Sequence, residues 1–195
     1  MMELFERIKR KKKRLLAERN FEVNARCDAD PVTTTENRLV CDQNGVRGRA
    51  FVYGDYPARR NACEAIAVHN ARVLLGRESS LSETIALFQA LGAMIFRGFF
   101  GSNVYKIKRV LRALDIPFEK AKRKGLGRPG VYIVSFWNEK PLKNGIHTVA
   151  LTYDGEKYTT YNLHGNGAAS GEDPRVFAKR FIVGYYLGEA DGGRQ

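Results

Sequence analysis

Cysteine is scarce in this chain: three in 195 residues, at positions 27, 41 and 63. No two of them form a C-x-x-C pair, so the sequence carries neither a zinc-ribbon nor a thioredoxin-like redox signature. Cys27 and Cys41 could bridge in an oxidising compartment and leave Cys63 free; in a reducing one all three are thiols. Long apolar runs are missing too, and no segment approaches the roughly 20 residues needed to cross a membrane. The first stretch, MMELFERIKRKKKRLLAERN, is basic but lacks the continuous apolar region and small-residue cleavage site of a secretion signal. The cytoplasm is therefore the expected compartment, with export left open. Internal repeats and low-complexity tracts are absent beyond short basic runs, and no RNA-binding aromatic signature or helix-turn-helix pattern appears.

What is present suffices for a real core: a length that fits one domain, with or without an appendage, and 44% hydrophobic residues. The charge is localised. Residues 1–20 hold eight Lys/Arg against three Glu, and residues 106–128 hold nine against Asp115 and Glu119, which together account for the net +12. Such patches suit nucleic acid, anionic lipid or acidic peptides, or simply solvated helix faces. Nucleic acid is not the expected partner, because nothing in the sequence puts the two segments on one face.

Periodicity predicts a helix over 2–19, irregular or β-like chain to residue 60 with a short strand in 46–57, and a helix over 61–76 closed by Gly76. A capping box, Ser80 and Glu83, opens a helix that stops at Gly92. An apolar, glycine-punctuated loop (94–103) leads to a helix before Pro117. After the basic loop KAKRKGLGRPG the character turns to strands at 131–137, 146–153, 156–163 and 181–188, with a short helix started by Asp173 and Pro174. Helices first and antiparallel strands second read as an α+β fold with a helical half and a sheet half.

Cys63 stands in the first turn of the predicted 61–76 helix, NACEAIAVHNARVLLG. A buried cysteine there is ordinarily a small hydrophobe, yet a helix N-terminus favours the thiolate. A nucleophile also needs a base and a group that orients the base. His69 lies on the same helix but on another face, and reads as structural. His147 opens the first hairpin strand, and a turn at Asp154–Gly155 sets it opposite Asn162, whose side chain could then hold one ring nitrogen. His164, in a Gly/Asn loop, and Trp137 are candidate substrate contacts. Cys63, His147 and His164 are too scattered to predict a metal site, and no cofactor is expected.

The two motifs, NACEAIAVHNARVLLG and GIHTVALTYDGEKYTTYNLHGNG, together resemble the papain-like cysteine peptidase superfamily, nearest its bacterial branch of double-glycine leader peptidases. The resemblance covers residues 56–188. It implies a papain-like domain over 51–195, preceded by a basic extension over 1–50, with an N-terminal nucleophile helix packed on an antiparallel sheet. It implies Cys63 as nucleophile, His147 as general base and acid and Asn162 as orienter, acting on a peptide or isopeptide bond of a peptide or protein substrate. Two positions depart from the pattern. The glutamine usual about six residues before the nucleophile is replaced by Pro57, so Asn61, Tyr56 or Arg60 would have to serve the oxyanion with the Cys63 N–H; and Glu64 stands where a small residue is usual. The alternatives are a degenerate peptide-binding relative, an acyltransferase with the same triad, or a basic module docking on nucleic acid or membrane.

Overall fold

Strand pairing organises the second half of the chain. In a computed structural model that describes residues 11–29, 39–45, 50–138, 145–164 and 169–190, five strands form one sheet: β3 (Glu119–Ala121), β4 (Gly130–Trp137), β5 (Ile146–Tyr153), β6 (Tyr158–Tyr161) and β7 (Phe181–Gly188). Their order is β3-β7-β4-β5-β6, antiparallel at every step. A two-stranded ribbon, β1 (Val52–Tyr53) and β2 (Tyr56–Pro57), lies outside it. The helices are α1 (Lys11–Ala29), α2 (Ala58–Asn61), α3 (Cys63–Leu74), α4 (Leu81–Ala90), α5 (Ile107–Ala113) and α6 (Pro174–Phe177). The α+β class expected from the sequence holds.

Both faces of the sheet are covered, which explains the nearly unbroken apolar run VYIVSFW. Successive side chains of β4, β5 and β7 alternate between two clusters. Ile133, Ala150, Val183 and Tyr185 meet Ala65, Ile66 and Val68 of α3. Tyr132, Val134, Val149 and Leu151 meet Leu126, Phe177 and Ala178 on the other side. Helix α3 is thus central, buried along Cys63–Ala71.

Three expectations need correcting. The helix predicted over 61–76 is broken at Ala62 (φ −104°, ψ 18°), where its N–H closes the α2 turn on Ala58; Cys63 is therefore the first residue of α3. The hairpin is longer at its tip than a two-residue turn allows. Asp154 Oδ1 accepts the N–H groups of Glu156 and Lys157, so Ala150 faces Tyr161 and Tyr153 faces Tyr158. Strand β6 then ends at Tyr161, and Asn162 turns out of the ladder at φ +64°. Finally, the basic loop contains a strand, β3, at the sheet edge.

The first helix extends to Ala29, ten residues beyond the expected end; residues 2–10 lie outside the described residues. Its buried positions are Ala17, Asn20 and Asn24. Asn20 Nδ2 donates to the Gly54 carbonyl (2.6 Å) and to Gln89 Oε1 (2.7 Å). Asn24 bonds both backbone groups of Val52, like a neighbouring strand. Ala17 packs with Ala86 and Ala90 of α4, and Val40 joins the main core. The described part of the 1–50 extension is a layer of the same body. Three of the nine basic residues over 106–128 are structural as well: Lys106 caps the Gly92 carbonyl, Arg112 covers Phe118 and Arg128 covers Tyr186.

One contact fixes the entrance to α2 and α3. Gly54 sits at φ +66°, and a Cβ there would lie 1.8 Å from the Arg97 carbonyl oxygen. Gly54→Ala should lower stability by about 3 kcal/mol or more, from a backbone clash and a strained φ together; an unchanged urea midpoint would refute this.

Candidate functional site

The break at Ala62 leaves the N–H of Cys63 in the first turn of α3, where no intrahelical acceptor exists. Its thiol, only 6% exposed, reaches the edge of β5: Sγ is 4.0 Å from the Ile146 carbonyl oxygen, and the Thr148 N–H also points at it. Those two backbone groups flank His147 and emerge on one side of the strand, the side on which β6 has already ended. The sheet therefore brings the thiol alongside the strand segment that carries the imidazole.

His147 is held by its backbone neighbours more than by the predicted side chain. Its Nε2 lies 2.7 Å from the carbonyl oxygen of Asn162. A carbonyl only accepts, so Nε2 carries the proton, and Nδ1 of the neutral ring keeps its lone pair. Burial favours that neutral form and holds the imidazole below its ordinary pKa, against the Asn162 bond and with the nearby His164. The ring stands edge-on to Phe136, centroids 5.9 Å apart. No hydrogen bond joins it to Cys63 Sγ among the described residues.

The amide of Asn162 faces elsewhere. Its Oδ1 accepts the Gln43 N–H (2.8 Å) and its Nδ2 donates to Gln43 Oε1 (3.2 Å). The expected opposition of His147 and Asn162 is corrected accordingly: the altered hairpin register removes it, and the positive φ at Asn162 presents the carbonyl to the ring instead. Gln43, in the segment DQNG, is not among the site residues that the sequence suggests, because its contact with Asn162 spans 119 positions. If the carbonyl orients the ring, Asn162→Gly keeps both the φ and the acceptor. Alkylation of Cys63 should then change less than about threefold, although stability falls by about 1–3 kcal/mol from the unpaired Gln43. A loss of a hundredfold would restore the side chain as orienter.

The oxyanion candidates are otherwise engaged. Asn61 Nδ2 donates to the carbonyls of Gly98 (2.7 Å) and Phe99 (2.5 Å). Tyr56 packs its ring on Phe99 under the Arg60 guanidinium. Of the donors considered from sequence, the Cys63 N–H alone is left beside the sulfur.

A cleft of about 600 Å³ opens on the His147 side, between Trp137, Phe177, His164 and Arg180. Trp137, 41% exposed, forms part of its wall. His164 pairs with Glu172 at 2.5 Å. The cleft reaches the imidazole; Cys63 is not in its lining. His69, as expected, is structural: fully buried, with Nδ1 2.9 Å from Ser79 Oγ.

No family model matches the chain, and no curated protein does. The site rests on its own geometry. No helix is long and apolar enough to cross a membrane, and among the described residues no group of three or more His, Cys, Asp or Glu is arranged to hold a metal ion.

The electrostatics centre on Glu64, a residue only 3% exposed. Removal from water pushes its pKa up to about 7, against the opposing bonds from its own N–H, the Cys63 thiol and the Ser102 N–H. The Cys63 thiol is pushed well above its ordinary pKa, first by burial and then by the Glu64 charge, with the Thr148 N–H acting the other way. At rest the sulfur is therefore a thiol, and the imidazole is neutral.

Proposed function

We propose that the protein is a thiol hydrolase of the papain-like kind, cleaving a peptide or isopeptide bond with Cys63 as nucleophile and His147 as proton carrier. The observation that carries this reading is the convergence on one edge of β5: a helix-start thiol against the peptide groups on either side of His147, with the ring fixed through Nε2. The central helix on an antiparallel sheet supports the same reading at the level of architecture.

A neutral thiol beside a neutral imidazole reacts by transferring its proton as it attacks. The Sγ proton passes to His147 Nδ1 while the Sγ–C bond forms and the carbonyl electrons move onto oxygen. The Cys63 N–H and the positive end of α3 stabilise that oxygen. Collapse breaks the C–N bond, and the imidazolium returns the proton to the departing amine. Water then attacks the thioester, giving up a proton to Nδ1, and the acid product leaves as Sγ is reprotonated. The Asn162 carbonyl strengthens the charged ring through the Nε2 bond, the role a carboxylate or amide plays in related constellations.

The test is labelling with a peptide-like electrophile that traps cysteine nucleophiles, followed by mass-spectrometric mapping. The expected result is selective modification of Cys63 over Cys27 and Cys41, although both of those are more exposed. Labelling that follows exposure instead, with Cys63 the least modified, would overturn the assignment.

A further inference from the structure

Glu64 is the buried charged group that the proposed mechanism leaves without a task. Its Oε2 has no hydrogen-bond partner, and among the described residues no Lys or Arg forms an ion pair with the carboxyl. The arginines of the neighbouring segments have other partners: Arg60 lies over Tyr56 and Phe99, and Arg97 binds Asp55 through two nitrogens. On the side of β1, Tyr53 presents a hydroxyl bonded to Ser102 Oγ, not a positive charge. On the side of β5, His147 is tied to Asn162. The loop 98–102 runs across the carboxyl closely enough that a Cβ on Gly101 would stand 3.5 Å from Oε2. Besides its own N–H and that of Ser102, the group beside the carboxyl is the Cys63 thiol on the same turn of α3.

A buried carboxylate that no cation pairs, next to a thiol, opposes a second negative charge on sulfur. It also attracts the S–H proton. We propose that Glu64 is a positioning residue whose carboxylate holds the Cys63 nucleophile in its protonated form, so that the thiolate becomes more accessible when a substrate cation neutralises that carboxylate. The inference takes Cys63 as the nucleophile of the proposed reaction, but the interaction itself is between two side chains of this chain and can be measured without a peptide substrate. It assigns a purpose to a residue that departs from the small one usual at this position. Glu64 keeps an acylation-prone sulfur quiet until the site is occupied.

The linked titration has a signature. While Glu64 is protonated, the thiolate fraction climbs tenfold per pH unit. As pH passes about 7, where Glu64 ionises, each further proton lost comes from the carboxyl, and the thiolate fraction levels off before rising again. The experiment is the rate of iodoacetamide alkylation of Cys63, followed on its own peptide by mass spectrometry from about pH 5 to about pH 9. Wild type and Glu64→Gln are compared, with Cys27 in the same sample as reference. The wild-type profile should flatten near neutrality. The variant should rise without a plateau and react about tenfold faster at pH 8, the equivalent of one pH unit in thiol acidity.

Equal rates and parallel profiles would overturn the proposal. A slower variant would overturn it in the opposite sense, since Glu64 would then be the acceptor of the thiol proton. The plateau in wild type stands as a readout even if the variant does not fold, and its absence counts against the proposal. A chain that shows the plateau yet cleaves no peptide would sink the hydrolase reading and leave the Glu64–Cys63 coupling intact.

Discussion

Cys63→Ala should remove hydrolysis of any peptide that the wild-type protein cleaves, by at least about a thousandfold in kcat/KM, because no other nucleophile stands at the start of α3. The exchange is mild for the fold. The side chain is small, and alanine is a better helix former than cysteine. The thiol's polar contacts are weak sulfur contacts, with the Ile146 carbonyl at 4.0 Å among them. A change in unfolding free energy within about 1 kcal/mol is expected, so loss of activity would report chemistry and not collapse. His147→Ala should fall nearly as far at neutral pH, since it removes the proton carrier while leaving the Cys63 N–H and the helix end in place. The two losses should not add in the double variant, because both groups act in one proton transfer. Full activity in Cys63→Ala would end the thiol mechanism and direct attention to the His147 cleft as a binding site.

The sequence was most informative where burial is complete and least where polar groups do the packing. The runs VYIVSFW, IHTVALTY and FIVGYYLG became β4, β5 and β7 within a residue, because strands covered on both faces must be apolar along their length. The Ser80–Glu83 capping box marked the start of α4, and Ser80 Oγ does accept the Glu83 N–H. Helix α1 was cut short because its anchors are Asn20 and Asn24, whose hydrogen bonds across 34 and 28 positions of sequence have no local pattern. The sequence paired Cys63 with His147 by residue type and place, and the structure sets the thiol against the peptide groups that flank His147. Their third partner was misassigned by a turn. Two further residues at Asp154–Lys157 shift the register, keep the parity of the faces, and carry Asn162 past the end of the ladder. A backbone carbonyl as orienter carries no residue signature at all. Gln43, bound to Asn162 from 119 positions away, belongs to the same class of contact.

Glu64 also dictates how stability depends on pH. The folded carboxyl has its pKa raised from 4.5 to about 7 by burial; in the unfolded chain it returns to the ordinary value. Below the unfolded pKa the group is protonated in both states and imposes no penalty. Between the two values the native state holds a proton that the unfolded state releases, so stability falls as pH rises, and the loss is complete once pH exceeds the folded value. The interval corresponds to about 3 kcal/mol at full weight. Glu64→Gln removes this dependence but buries an amide whose N–H groups need acceptors, at about 1–2 kcal/mol that does not vary with pH. The two stability curves should therefore cross. Wild type should be the more stable protein at pH 4, and the variant at pH 8 by about 1–2 kcal/mol, or about 2–8 °C in Tm for a chain of this size. The other carboxylates and histidines titrate in both proteins and cancel in the difference, provided they do not touch Glu64. Urea unfolding of the two proteins at both pH values checks this directly. Parallel curves, with the same difference at pH 4 and pH 8, would mean that Glu64 keeps an ordinary carboxylate pKa in the folded protein, and the buried, uncompensated charge beside Cys63 would have to be abandoned.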